Sequence, residues 1–322
     1  MYIAQAFKGL HDWWRYLVGL VIVLIAWQVL GGIPFLVSLI VKVVKDGGNI
    51  AELDKLTQNE LLSILEPNLN LFLMLLMFVF GLGALLLVVK YLHKLTLTQF
   101  TTSRKKIDWK RFWFSFILWG ILSTGILFID YYLAPDNYVF NFKPIPFLIL
   151  CVIAVIMIPL QTSFEEYLFR GYLMQGIGVI VKNKLVPLII TSLGFGLLHI
   201  ANPEVDKLGP VIMVYYIGTG LFLGIITLMD EGVELALGFH AANNLFTALL
   251  VTADWTALQT HSIFKDISDP ETMKLAEIFI PVFVIFPILV FIFSKRYKWT
   301  NWNEKLLGNV KQLPAQDYKI ID

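Results

Sequence analysis

The chain has 322 residues, of which 57% are hydrophobic and only 15% charged. Soluble domains carry about 25% charged residues, which argues against a soluble globular protein, and 25 basic against 24 acidic residues exclude a nucleic-acid binder driven by bulk charge. The single cysteine, Cys151, excludes an internal disulfide, a cysteine-based metal site and a redox pair.

Lys8 and Arg15 precede an uncharged run at 16–41. A cleaved secretory signal has an apolar core of about 7–15 residues, so this longer run reads as a retained first span. Gly31-Gly32-Ile33-Pro34 is expected to bend it, because proline removes a backbone hydrogen bond there. The 46–66 segment, with AELDKLTQNELLSIL, reads as a loop holding a short amphipathic helix on the outer surface. After a second uncharged run at 67–89, TLTQFTTSRKKIDWKRFW is expected to lie along the cytoplasmic interface, its tryptophans at headgroup depth.

Further stretches without Asp, Glu, Lys or Arg follow at 112–129, 144–164, 185–203, 208–229, 235–253 and 278–294. A membrane helix needs roughly 20 mainly apolar residues to cross a core of about 30 Å. Few of these stretches carry the polar face of a soluble helix. The fold class is therefore all-α, a polytopic membrane helical bundle of about eight transmembrane helices. The clusters Lys90–Arg111, Lys182/Lys184 and Lys295–Lys311 fall with the N-terminus on one side of an eight-span arrangement. Basic loops mark the cytoplasm, so both termini are placed there. Asp230, Glu231 and Glu234 fall on that side without an evident cation. No internal repeat is visible. The chain reads as one membrane domain with N-terminal helices at 1–140, a core at 141–255, and a last helix and tail at 256–322.

Charged groups inside a bilayer are costly and mark function by default. IPLQTSFEEYLFRGYLMQG holds Glu165, Glu166 and Arg170. Glu166 and Arg170 stand four apart in the order that favours an ion pair. Glu165 points roughly 140° away from Arg170 at about 100° per residue, without a partner on its own helix. FGLLHIANP places His199 in the next apolar segment. Glu165 and His199 lie equally far from the VKNK turn, so an antiparallel hairpin sets them level. In GFHAANNLF, His240 and Asn244 share a face, with Asn243 beside them. One carboxylate, two imidazoles and an amide suit hydrolysis, supplying a base for water and donors for an oxyanion.

EEYLFR, FGLLH and HAANN, in this order on successive membrane helices, fit EExxxR, FxxxH and HxxxN. The set resembles the CAAX protease and bacteriocin-processing (Abi) family across about 150–250. The resemblance implies an intramembrane endopeptidase without a metal. In it Glu165 is the general base, His199 holds the water, His240 and Asn244 stabilise the oxyanion, and Glu166 and Arg170 support them. It also implies a peptide or protein substrate at the bilayer. Hydrolysis needs water inside the membrane, so a polar cavity opening to the cytoplasm is expected, lined by Gln161, Thr162 and Ser163. The preferred location is a bacterial inner membrane.

The residues leave other readings open. Glu165, His199 and His240 with Glu166 as base would suit a zinc hydrolase, although no HExxH is present. A non-catalytic membrane binding or immunity protein would keep the same residues. A transporter would use Glu165 and Arg170 in an ion path.

Overall fold

Each of the eight uncharged stretches is centred on a helix. The computed structural model describes residues 1–312, and the last ten residues of the predicted 256–322 segment lie outside them. The helices are α1 (Trp13–Lys45), α2 (Pro67–Leu92), α3 (Trp109–Leu133), α4 (Pro144–Val181), α5 (Leu185–Leu197), α6 (Pro210–Asp230), α7 (Glu234–Leu250) and α8 (Leu275–Tyr297). Six of them, all but α5 and α7, are long and apolar enough to cross a membrane. At 1.5 Å per residue α5 and α7 reach only about 20 and 25 Å, short of the hydrocarbon core. An interior helix need not match the bilayer, and α7 is buried without interruption from Glu234 to Ala242.

Ile121, Leu133, Ile145 and Phe283 are each more than 60% exposed on the outer helices. In water so broad an apolar surface would drive association. Around a helical bundle it is the lipid-facing belt. In α1 the Gly-Gly-Ile-Pro signal appears as a π turn over Ile25–Leu30 leading into Gly32–Lys45, so the helix absorbs the missing proline N–H without stopping.

The bundle has two distinct ends. At one, the N-terminal turn Ile3–Lys8 packs under α4, and Val310 N–H donates to Lys182 O at 3.0 Å. The Leu97–Thr101 helix packs into this end. Its Phe100 is 1% exposed and stacks on Tyr167 at 5.2 Å, and Thr102 bridges Gly232. Asp230 and Glu234 do have cations. Arg104 lies 2.7 Å from Glu234 and 3.3 Å from Asp230, and Arg111 also pairs with Asp230. Glu231 meets the N-terminal ammonium at 3.6 Å and Lys305 at 3.9 Å. These pairs span more than seventy residues, beyond any local pattern.

At the other end, residues 46–66 form two short turns, Ile50–Lys55 and Gln58–Ser63, the second opened by a Thr57–Glu60 capping box. A small sheet there was not foreshadowed by the uncharged runs. Its strands are β1 (Tyr138–Phe140), β2 (Val251–Thr252) and β3 (Phe264–Asp266). β3 is central, antiparallel to β1 and parallel to β2.

α5 and α6 meet backbone to backbone. A Cβ on Gly220 would stand 2.7 Å from the Ser192 carbonyl oxygen, the close approach that small residues allow between membrane helices. Gly220→Ala is expected to cost about 1–3 kcal/mol through overpacking, read as a lower thermal midpoint in detergent. Gly83→Ala, where a Cβ meets nothing within 4 Å, should leave the midpoint in place.

Candidate active site

α4 runs as a regular α-helix through Glu166 and then widens into a π turn over Tyr167–Leu173, an irregularity common at functional sites. Arg170 stays within reach of Glu166, its Nη1 donating to Oε1 at 2.8 Å, with both side chains fully buried. Arg170 Nη2 donates to the Gly220 carbonyl at 3.1 Å, and the guanidinium lies 4.4 Å over the Phe195 ring. The ion pair is as the i,i+4 spacing predicts.

Glu165, on the next face, has no partner on its own helix. The neighbour that reaches it is His240 from α7, whose Nε2 lies 3.4 Å from Glu165 Oε2. His240 Nδ1–H donates to Glu166 Oε1 at 2.8 Å, so the ring spans both acids of the pair. Glu165 Oε2 itself has no hydrogen-bond partner. The four groups sum to zero charge when one proton is shared between Glu165 and His240. The two glutamates contribute two negative charges, Arg170 one positive, and the shared proton the other.

His199 stands differently from the reading of an in-helix histidine. α5 ends at Leu197 and His199 sits in the turn beyond it. Its Nδ1–H donates back to the Phe195 carbonyl at 2.8 Å, satisfying one of the carbonyls a helix end leaves free. That tautomer leaves Nε2 as a lone pair. The ring stacks on Tyr216 with centroids 4.4 Å apart and planes 20° from parallel. No hydrogen bond joins His199 to Glu165 among the described residues. The two side chains line one cavity of about 360 Å³ together with Gln161, Asn243 and Asn244.

Asn244 is fixed by a chain of amides. Trp119 Nε1–H donates to Asn243 Oδ1 at 3.1 Å, Asn243 Nδ2 donates to Asn244 Oδ1 at 3.1 Å, and Asn244 Nδ2 donates to Gln161 Oε1 at 3.0 Å. Of the three residues expected to line the cavity, Gln161 does so. Thr162 is buried and turns its hydroxyl back to Ile158 O at 3.0 Å, and Ser163 does not reach the lining. The apolar wall is Trp27 of α1 with Met74, Leu75 and Phe78 of α2, so the N-terminal helices complete the site.

At the mouth, Glu204 accepts the Ala257 N–H at 3.0 Å, tying two loops together, and its second oxygen is buried without a partner. Burial pushes this carboxyl above the usual carboxylate range. The mouth lies at the end of the bundle away from the termini. The sequence reading expected a cavity opening on the side of the termini, whereas the loop residues in its lining, Asn202, Glu204, Ala257 and Leu258, lie at the other end of the bundle. Among the described residues no group of three or more His, Cys, Asp or Glu converges as a metal shell.

Residues 140–246 match the sequence profile described as Type II CAAX prenyl endopeptidase Rce1-like. Uncharacterized protein YyaK of Bacillus subtilis (strain 168) is 30% identical over 246 residues, covering 76% of this chain and 80% of that protein. The chain belongs to the Rce1-like CAAX endopeptidase family. No solved structure matches it. Rce1-like membership, with the apolar helices, makes it an integral membrane protein of a CAAX-type intramembrane protease family.

Sequence reasoning missed several members of this Rce1-like site. Trp119 and Tyr216 were invisible because an aromatic in a membrane helix is ordinary until its partner is known. Trp27, Met74 and Phe78 carry no signal beyond apolarity. Glu204 is an ordinary loop acid in sequence, and its position before the Ala257 turn depends on tertiary packing.

Proposed function

We propose that the chain is a glutamate-dependent, metal-independent intramembrane endopeptidase of a bacterial cytoplasmic membrane, with its catalytic core at 141–255. The observation that carries this reading is the unequal treatment of two adjacent acids. Glu166 is paired with Arg170 and accepts from His240 Nδ1–H away from the cavity, whereas Glu165 lines the cavity with His199 and its nearest charged neighbour is His240 Nε2 at 3.4 Å.

In this reading a water sits between Glu165 and the free Nε2 of His199, donating one hydrogen to each. Glu165 takes a proton as the water oxygen bonds to the scissile carbonyl carbon, and the carbonyl π bond becomes an oxyanion. Asn244 Nδ2 and protonated His240 Nε2 are the donors nearest to where that charge develops, which lowers the barrier without reorganisation. Collapse of the tetrahedral intermediate breaks the C–N bond, and Glu165 returns its proton to the leaving nitrogen. Glu166 holds His240 through Nδ1–H, and Arg170 holds Glu166.

The test is cleavage of membrane-tethered fluorogenic peptides, prenylated and unprenylated, by protein reconstituted in vesicles. Turnover is expected to persist in chelator, and Asn244→Ala is expected to lose about 100- to 1000-fold in kcat. Turnover abolished by chelator and restored by zinc would give the site to metal-assisted hydrolysis. Complete inactivity of the wild type on both peptide classes would favour a binding role.

A further inference from the structure

The cavity lining runs from mid-bundle toward one end, and the charge distribution bears on which side of the membrane that end faces. On α2, α6 and α7 the lining residues come from the half remote from the termini, while Trp27 of α1 and Glu165 of α4 lie near mid-helix. α4 starts at that end with Pro144 and contributes Ile158, Gln161 and Glu165, but nothing beyond. α7 runs the other way and contributes Asn243, Asn244 and Thr247, but nothing before His240. α6 contributes only Tyr215 and Tyr216 from its first turns, and α2 contributes Met74, Leu75 and Phe78 from its first half. Toward the termini the floor is closed. Glu166, Phe169, Arg170, Phe195 and Leu237 are all buried in continuous packing there.

The two ends differ in charge. The end that gathers 1–15, 88–111, 182–184, 229–234 and 294–312 holds sixteen Lys and Arg against six Asp and Glu. The end formed by 42–66, 130–143, 198–212 and 251–277, which carries the mouth, holds seven against fourteen. Lys and Arg in short loops remain cytoplasmic during insertion. The basic end is therefore the cytoplasmic one, and the mouth faces away from it.

We propose that the site takes its substrate from the non-cytoplasmic face of the membrane. Its peptides are segments exported to, or tethered on, that face, and not tails presented by cytosolic proteins. Resting on the endopeptidase reading above, this names the substrate class by location. A peptide entering from that side passes Glu204 and the Ala257 loop before its carbonyl reaches Glu165.

Sidedness can be measured without turnover. In a Cys151→Ser background, single cysteines are placed at Asp254 or Leu258 by the mouth and at Lys105 at the basic end. Intact spheroplasts expressing the full chain are treated with a membrane-impermeant maleimide. Asp254→Cys and Leu258→Cys are expected to label in intact spheroplasts, and Lys105→Cys only after permeabilisation. The reverse pattern, or equal labelling of both ends in intact spheroplasts, would overturn the proposal.

Cleavage is then followed with fluorogenic peptides supplied outside right-side-out or inside-out vesicles. Turnover in the right-side-out vesicles alone is expected, and turnover in the inside-out vesicles alone would again overturn the proposal. Labelling as expected with no turnover from either face would leave the orientation standing and sink the endopeptidase reading instead.

Discussion

Glu165→Gln is expected to reduce peptide cleavage by about 10²- to 10⁴-fold, the range a positioned general base supplies, while leaving the thermal midpoint close to wild type. The substitution preserves size and one carbonyl oxygen but removes the ability to take a proton from water. Folding should tolerate it because Glu165 is not the acid that Arg170 needs. Glu166 makes that pair at 2.8 Å, and the closest charged neighbour of Glu165 is His240 Nε2 at 3.4 Å. Activity assayed with and without chelator on the same preparation separates this prediction from the zinc reading. A wild-type rate unchanged by chelator, together with the mutant's loss, assigns the water activation to the carboxylate. A mutant that retains the wild-type rate would remove Glu165 from the chemistry.

The sequence disclosed the parts of the site that are unusual for their surroundings and hid those that are ordinary. Glu165, Glu166, Arg170, His199, His240 and Asn244 stand out because polar groups cost free energy in an apolar helix, and the i,i+4 rule fixed the Glu166–Arg170 pair. Helix spacing also left Glu165 alone on its own helix, but it could not say which partner would arrive. The hairpin through Lys182 made His199 the natural choice. His199 instead turns its Nδ1–H to Phe195 because α5 stops two residues earlier, and His240 crosses from α7. Depth along a hairpin can be counted from sequence, whereas the rotation of a third helix is set by packing. α7 is positioned by contacts such as Trp119 on Phe239 at 4.6 Å, and neither residue is distinctive in an aromatic-rich chain. The end of the bundle toward which the cavity lining runs was not legible for a related reason. Loop charge marks one end of the bundle as basic, but only the arrangement of the helices shows at which end the polar groups leave a gap.

Arg170→Met should be the most destabilising single change in the core, because it removes one partner of a fully buried pair. Removing one charge of such a pair typically costs about 3–5 kcal/mol, since the other is left unpaired where water cannot reach it. Here the residue left behind is Glu166, 0% exposed, with one oxygen already lacking a partner. The Gly220 carbonyl and the face of Phe195 lose their contacts with the guanidinium as well. Methionine fills much of the volume, so the loss measures charge more than cavity. The double variant Glu166→Gln with Arg170→Met removes both charges and is expected to recover most of the lost stability, as apolar or neutral replacements of buried pairs generally do. Its amide oxygen can still accept from His240 Nδ1–H, and one proton shared between Glu165 and His240 still balances the cluster. The double variant should therefore regain measurable cleavage along with its thermal midpoint, whereas Arg170→Met should lose both. A double variant that is stable yet inactive would show that the negative charge of Glu166 acts on His240 during turnover. A double variant no more stable than Arg170→Met would mean that the guanidinium contacts to Gly220 and Phe195, and not the ion pair, hold α4 against α5 and α6.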